Sequence, residues 1–453
     1  MRLNSNLILR QVGGEYMIVN PFSETMDMAQ VYSLNETAAW LWKQLENKEF
    51  TVDEAGALLC NEYEVNKDTA RNDANELCRQ WLETGLAIEL DKKMISAPLQ
   101  KAFMLLLRQG LWDRQEDCSA LFPLDEKEWN EIHSMARKQT VQGIIYDGIR
   151  LLPTEAVPPR KVLLGWMVEV APLERVHRQH REPITALQQI YVQSPSIPFL
   201  LLKGIGTADF YPHPEHRIAG DIDLWFGNKT QTEQANQRME KLGLPVKRGT
   251  NGEASCLINR VLIEHHSRLI ELHNPFLQKE IRQWEAGVFT NSQGKLPSEA
   301  NHLLLSTHIL KHLINEGIGL RQLCDIAMAF NALHSVTNKN ELECICRKWH
   351  IHRWNRLLYA LLIKYLGVPA DLLPFSTSLC PDKLMQEIWE SGNFGHGDER
   401  YGERPTGKWA NKRYTLKRIF HKMHLSLGYA FDETFWWLAG LALLRFKEMI
   451  KKK

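Results

Sequence analysis

The sequence has little that would place it in a membrane or in an oxidising compartment. No apolar run of the kind a secretory signal needs follows Met1, and the longest apolar stretch late in the chain, residues 435–444, is about half the roughly 20 residues of a membrane span. The eight cysteines are scattered through 453 residues, which fits reduced thiols better than a disulfide framework. We therefore predict a cytoplasmic protein without a transmembrane segment.

The chain also lacks a large excess of either charge. Lys and Arg number 55 against 54 Asp and Glu, so the formal net charge is +1 and gives no reason to expect a nucleic-acid partner. Only the C-terminal end is strongly basic, with eleven Lys or Arg against three Asp or Glu in residues 408–453. The apolar fraction of 44% is typical of a folded protein, and the length predicts about two to four domains.

Residues 1–95 are predicted to form a small α+β domain of three strands followed by three helices. Two apolar runs flank Gly13-Gly14, which is a hairpin signal, and a third extended run ends near residue 32. Asn35 is a residue type that caps helices, and Thr51 with Glu54 has the spacing of a capping box for the second helix. A third helix is expected from about residue 67 to residue 83.

The remainder of the chain is predicted to be helical with one interruption. Apolar periodicity indicates helices over residues 96–190 and again over 291–453. Residues 191–290 contain short apolar runs that are typical of buried strands, including 197–202, 221–226 and 261–273. The predicted fold class is therefore a multidomain α+β protein, in which a sheet is embedded between helical regions.

The segment with the clearest chemistry combines two strands and a polar loop. An apolar strand leads into Lys203 and Gly204, and after the loop comes Gly220-Asp-Ile-Asp-Leu224. Alternate residues of a strand share a face, so we expect Asp221 and Asp223 to point the same way and to need a cation between them. Mg²⁺, or Mn²⁺ in its place, is the expected cation because it prefers oxygen ligands and leaves positions open for phosphate.

A third carboxylate is expected on a neighbouring strand. Glu271 would share a face with His273 if residues 270–273 are extended, whereas Glu264 in the preceding run is the competing candidate. Of the two, we favour Glu271.

Several residues near the two aspartates are suited to binding phosphate. Gly204 and Gly206 would let the backbone approach a phosphate closely, and Gly220 precedes the first aspartate. Lys203 and Arg217 could pair with the phosphate charge.

These motifs resemble the nucleotidyltransferases of the polymerase-β-like superfamily, and in particular a bacterial branch in which Leu-Lys-Gly replaces the usual Gly-Ser loop. The resemblance rests on Leu202-Lys-Gly204, Tyr211-Pro212, Arg217, Gly220-Asp-Ile-Asp-Leu224 and Glu271-Leu-His273. His308, His312, Arg321 and Asp325 are similar to that branch's "H…H…R…D" segment and, with His273, are candidate substrate contacts.

The resemblance implies transfer of a nucleoside monophosphate from an NTP. Asp221 and Asp223 would hold one or two Mg²⁺ ions, and Glu271 would hold the second ion or take the proton of the attacking hydroxyl. Lys203 and Arg217 would stabilise the pyrophosphate leaving group.

The first domain resembles a different family, the PqqD-type proteins, which recognise precursors of ribosomally made, modified peptides. The resemblance rests on residues 9–16, Ser33-Leu-Asn-Glu-Thr-Ala38, Trp40-Leu-Trp42, Glu62-Tyr63 and Gly85-Leu86. It implies a winged-helix-like domain in which an extended leader peptide adds beside the third strand and against the third helix. The implied contact residues are Met28, Val31, Tyr32, Arg71 and Ala74.

Two of these patterns have plainer interpretations. His308 and His312 lie one helical turn apart, and packing or substrate contact is a better interpretation of them than metal binding. Arg321 and Asp325 could form an ion pair within one helix instead of serving an active site.

The combined prediction is a tailoring enzyme that nucleotidylates a ribosomally made peptide, or transfers a related phosphoryl-linked group to it, in association with its leader and with other peptide-maturation enzymes. Two alternatives stay open: a nucleotidyltransferase that acts on a small molecule, and a non-catalytic adapter that binds a precursor peptide.

Overall fold

The protein forms two compact units, Met1–Ser96 and Ala97–Lys453. The computed structural model describes residues 1–4, 7–12, 15–19, 32–46, 48, 50–63, 65–84, 86–88, 96–249, 253–292, 294–395, 398–401 and 407–450. The further boundaries that we predict near residues 190 and 290 fall inside the second unit and stay predictions.

The first unit contains the predicted three strands and three helices, together with a strand pair that the sequence did not indicate. Its elements are β1 (Arg2–Leu3), β2 (Ile8–Val12), β3 (Glu15–Val19), β4 (Tyr32–Leu34), α1 (Glu36–Leu45), α2 (Val52–Tyr63), α3 (Lys67–Glu83) and β5 (Ala87–Ile88). Strands β2, β3 and β4 form an antiparallel sheet in that order, and β1 pairs with β5. The α+β fold class is confirmed.

Helix starts in the first unit follow the predicted capping chemistry. The Asn35 side chain accepts a hydrogen bond from the Ala38 amide at 2.8 Å. Thr51 and Glu54 bond each other reciprocally, since the Thr51 amide donates to the Glu54 carboxylate and the Glu54 amide donates to the Thr51 hydroxyl. These bonds satisfy amides that have no partner inside the helix, which is why the chain turns into a helix at these residues.

Four long helices open the second unit: α4 (Ala97–Trp112), α5 (Glu126–Gln139), α6 (Gln142–Arg150) and α7 (Arg160–Val192). Helices α4 and α6 cross at Gly110, where an added Cβ would lie 1.9 Å from the carbonyl oxygen of Ile144. A glycine is therefore required for the two backbones to approach this closely.

A five-stranded mixed sheet follows. Its elements, with the helices between them, are β6 (Leu200–Leu201), α8 (Ile205–Ala208), β7 (Ile222–Trp225), α9 (Lys229–Lys241), β8 (Lys247–Arg248), β9 (Ala254–Ile258) and β10 (Val261–His266). The strand order is β6-β7-β10-β9-β8, and β7 and β10 are parallel. Ile222 and Leu224 of β7 are fully buried in a core with Leu187 and Tyr191 of α7, so the intervening Asp223 belongs to the other face.

The predicted strand over residues 261–273 ends at His266, so our assignment of 270–273 to a strand is wrong. The physical reason lies in Glu285, whose Oε1 accepts hydrogen bonds from the amides of Leu269 and Ile270 at 2.8 Å each. Because these amides are bonded to a helix side chain, they do not pair with a neighbouring strand.

The rest of the chain is helical, as the periodicity indicates. The helices are α10 (Gln278–Asn291), α11 (Ser298–Asn315), α12 (Leu320–Leu333), α13 (Lys339–Lys348), α14 (His352–Leu366), α15 (Asp382–Ser391), α16 (Lys408–Tyr429) and α17 (Phe431–Ile450). In the part of the chain that the structure describes, none of the helices has the length and apolarity to cross a membrane.

Candidate active site

A cavity of about 240 Å³ lies between the sheet and helices α11 and α12. It brings together Glu264, the competing candidate for the third carboxylate, and eleven of the predicted site residues: Lys203, Gly204, Arg217, Gly220, Asp221, Asp223, Glu271, His308, His312, Arg321 and Asp325. Of the predicted site residues, Gly206 and His273 are not part of its lining.

Asp223 is the central acid of the cavity and is fully buried. Its Oδ2 accepts a hydrogen bond from Lys203 Nζ at 2.7 Å, and its Oδ1 lies 2.8 Å from His266 Nε2. Burial alone would raise the pKa of Asp223, but Lys203 and His266 outweigh burial and hold that pKa well below its usual range. Asp223 is therefore ionised and already compensated by positive charge.

His266 is a site residue that we did not single out from the sequence. Burial opposes its protonation, yet the hydrogen bonds with Asp223 and Glu264 raise the pKa of His266 to about 9. The imidazole is therefore protonated at neutral pH and donates its Nε2 hydrogen to Asp223. Its two-residue spacing from Glu264 on β10 was the available signal, because alternate strand residues share a face.

Glu264 lies beside Asp223, because the register of the parallel pair β7 and β10 places Glu264 opposite Asp223. Ligand atoms of Asp223, Glu264 and His266 all lie within 4.8 Å of one another. Asp221 lines the same cavity one residue before β7, and burial together with the Asp223 charge raises the pKa of Asp221. The geometry thus favours Glu264, the competing candidate, as the third carboxylate.

Glu271 lines the cavity from the irregular segment after β10 and is bound to other partners. It forms an ion pair with Lys311 of α11, and Glu253 hydrogen-bonds to it. Burial opposes ionisation of Glu271, but Lys311 and Glu253 lower the pKa of Glu271 to about 2, whereas burial and Glu271 raise the pKa of Glu253. Of this carboxyl pair, Glu253 is therefore the one that takes up a proton more readily.

The turn that carries Lys203 depends on Gly204. Gly204 has φ = 68° and ψ = −116°, and an added Cβ would lie 3.2 Å from the carbonyl oxygen of Asp221. The Leu202 amide donates to the Asp223 carbonyl at 3.0 Å, which ties the start of this turn to β7. Gly206 lies on α8, where an added Cβ would lie 3.4 Å from the Cγ of Leu201.

Arg217 is held in a buried ion pair with Asp325 of α12. Its Nη2 and Nε donate to the two carboxylate oxygens of Asp325 at 2.7 and 3.1 Å, and the Tyr211 hydroxyl donates to Asp325 at 2.7 Å. The alternative of an ion pair between Arg321 and Asp325 within α12 is wrong, because Arg217 takes both oxygens. Our expectation that Arg217 binds phosphate stays a prediction, and in the structure its guanidinium is engaged with Asp325.

His308 and His312 form one wall of the cavity. Their Nε2 atoms lie 3.1 Å apart, and the Nδ1 of His312 lies 3.1 Å from a Glu316 oxygen. Burial and the charges of Lys203 and His312 lower the pKa of His308 well below its usual value, so His308 is neutral, and one of the two Nε2 atoms donates to the other. Phe394 packs against His312 with ring centroids 4.7 Å apart. The two histidines thus contact each other and the cavity.

His273, a predicted substrate contact, lies elsewhere and binds the C-terminal helix α17. Its amide and its Nδ1 both contact the Glu433 carboxylate, at 2.8 and 2.5 Å. Our expectation that His273 shares the face of Glu271 in this site is therefore wrong, because the segment is not a strand.

The predicted peptide contacts belong to the first unit. Tyr32 begins β4 and is partly buried against the core of that unit, whereas Met28 and Val31 lie outside the described residues. Arg71 pairs with Asp53 at 2.8 Å in an exposed position. Ala74 is fully buried, so its side chain supports the core and is not available for the peptide contact that we expected.

The donor set fits a hard divalent cation. Asp221, Asp223 and Glu264 supply carboxylate oxygens on one wall of the cavity, and oxygen is the donor that Mg²⁺ and Mn²⁺ prefer. His266 is protonated and bonded to Asp223, which leaves the carboxylates as the ligands.

Comparison with known families finds one match in each of the two units. Residues 125–367 match the family described as uncharacterised nucleotidyltransferase, and residues 15–87 match the family described as coenzyme PQQ synthesis protein D (PqqD). Because the first match covers more than half of the chain, the protein belongs to the uncharacterised nucleotidyltransferase family, with a PqqD domain at its N-terminal end. No curated protein and no solved structure matches the chain significantly.

Proposed function

We propose that the protein is a Mg²⁺-dependent nucleotidyltransferase that transfers a nucleoside monophosphate from an NTP to a ribosomally made peptide recruited through its leader. The observation that carries the transferase part is the position of Asp221, Asp223 and Glu264 on one wall of a cavity that also contains Lys203. The family supports nucleotidyl transfer as the reaction class.

The chemistry requires an acceptor oxygen to attack the α-phosphorus while the bond to pyrophosphate breaks. Asp221 and Asp223 would hold the cation, with Glu264 in the role that we expected of Glu271 and Glu271 as the alternative. A bound Mg²⁺ would neutralise charge on the phosphates. Lys203 would stabilise the pyrophosphate, and a cavity carboxylate such as Glu264 would accept the proton of the attacking group.

The peptide part of the proposal rests on the PqqD match and on the sheet of the first unit. Among the described residues, β4 pairs with β3 alone, so its other edge is available for strand addition. Backbone hydrogen bonds along that edge would provide affinity for a leader of variable sequence. A bound leader would raise the effective concentration of the attached core peptide for the second unit.

The first experiment is calorimetric titration of each NTP with Mg²⁺ against the wild-type protein and an Asp221→Asn variant. Asp221 makes no ion pair among the described residues, so this substitution removes a ligand without leaving a buried cation uncompensated. We expect the variant to fold normally and to lose metal-dependent binding by about tenfold or more, because a charged ligand is removed. Glu155→Gln, an exposed loop carboxylate, is the matched control.

The acceptor is tested separately with labelled NTP and a panel of precursor peptides, each with and without its leader. We expect label on the core peptide and a slower reaction after leader removal. Equal rates on both forms would refute leader recruitment, and turnover on small hydroxyl compounds without a peptide would favour the small-molecule alternative. Failure of every NTP to bind would leave the protein as a peptide-binding adapter.

A further inference from the structure

Three cations of the cavity wall are each committed to a carboxylate. Lys203 binds Asp223, Arg217 binds Asp325, and Lys311 binds Glu271. These pairs account for much of the charge around the cavity, and two of the carboxylates, Asp223 and Asp325, are buried, so that their cations offset a large desolvation cost.

Arg321 of α12 is different. Among the described residues it makes one hydrogen bond, a long one of 3.3 Å from Nη1 to the Ile218 carbonyl oxygen, and its Nε is buried without a partner. Its guanidinium lies 5.8 Å from the centroid of the Phe394 ring. Burial and the neighbouring charge of Arg217 lower the pKa of Arg321 to about 10, so the group still carries its charge at neutral pH.

A partly buried guanidinium whose buried Nε lacks a partner costs free energy unless an anion completes it. Protein carboxylates do not do so here, because Arg217 occupies both oxygens of Asp325, the nearest candidate on the same helix. On another part of the lining, Asp221 forms no ion pair among the described residues, whereas Glu264 lies 3.6 Å from protonated His266. A cavity with an uncommitted carboxylate and an uncommitted guanidinium is complementary to a ligand that carries both a metal cation and several phosphate charges.

We propose that Arg321, and not Arg217, is the arginine that binds the phosphate groups of the donor, so that the part of the cavity around Arg321 binds a polyphosphate. This inference rests on the proposed function and deepens it. The planar guanidinium can bind two phosphate oxygens at once, which a lysine cannot do. Phe394 limits the orientations of that plane, while Arg217 and Asp325 position α12 without touching the ligand.

The test is calorimetric titration with sodium tripolyphosphate and Mg²⁺, which contains no nucleoside. We expect Arg321→Met to raise Kd by roughly tenfold or more, because a charge-assisted hydrogen-bonding partner is lost. The Kd of Arg321→Lys should fall between those of the wild type and Arg321→Met, because lysine keeps the positive charge but lacks the planar guanidinium that binds two oxygens at once. Arg347→Met, at an exposed helical arginine, is the matched control and should bind as the wild type does.

Thermal unfolding separates a binding role from a structural one. Arg321→Met should unfold no lower than the wild type, because it removes a buried charge that lacks a protein partner. Tripolyphosphate binding that is unchanged in Arg321→Met, or absent in the wild type, would overturn the inference. If the wild type binds tripolyphosphate through Arg321 but binds no NTP, the inference holds and the proposed nucleotidyl transfer fails.

Discussion

The ion pair between Arg217 and Asp325 provides the sharpest test of how the second unit is held together. Each residue is 5% exposed, and two hydrogen bonds of 2.7 and 3.1 Å join the guanidinium to the carboxylate. The Arg217→Met variant would leave a buried carboxylate with the Tyr211 hydroxyl as its remaining donor. We therefore expect a loss of about 3–5 kcal/mol in the free energy of unfolding.

The double variant Arg217→Met/Asp325→Leu distinguishes this explanation from a simple loss of contacts. It removes both charges, so the desolvation cost disappears with the attraction, and its stability should recover much of the loss in the single variant. Urea unfolding, followed by tryptophan fluorescence, measures the free energy of unfolding of the wild type, the two single variants and the double variant. A loss under about 1 kcal/mol in Arg217→Met, or additive losses in the double variant, would refute the reasoning.

Two further predictions concern stability. His302 is buried and stacked on Phe330, and burial lowers the pKa of His302 to about 3. Below pH 6.5 the unfolded chain therefore takes up a proton at His302 that the folded chain does not. The free energy of unfolding should fall by up to about 1.4 kcal/mol per pH unit from pH 6.5 to about pH 3. His302→Phe should remove this part of the slope in unfolding measured at pH 7 and pH 5, and an unchanged slope would contradict the assignment. Gly204→Ala should lower the free energy of unfolding by about 1–3 kcal/mol, because Gly204 has a positive φ. The control Gly165→Ala, at an exposed position of helix α7, should raise the free energy of unfolding by about 1 kcal/mol, and thermal unfolding measures both. Equal effects of the two alanines would contradict the strain at Gly204.

Local sequence patterns predicted most elements of the fold, and they singled out residues that line the cavity. Caps such as Asn35 and the Thr51–Glu54 box depend on atoms three residues apart, so the sequence contains all that is needed to place them. The same holds for Asp221 and Asp223, which line one cavity because strand side chains alternate between faces.

The choice between Glu264 and Glu271 could not be made from the sequence. Both follow an apolar residue in a run that has strand character. The decision depends on the register between β7 and β10, and on Glu285, which takes the amides of Leu269 and Ile270 from outside the run. Neither the register nor a side chain sixteen residues away is visible in local periodicity.

The sequence by itself therefore determined the class of this protein: the α+β fold class, the order of most strands and helices, and a pair of aspartates that follow a Lys-Gly turn. These features depend on interactions between residues close together in the chain. The tertiary structure decided which charged side chains of the cavity are paired with another protein side chain and which are not. Asp325 binds Arg217 across 108 residues and so leaves Arg321 uncommitted in the cavity, and such pairing depends on packing that brings distant segments together.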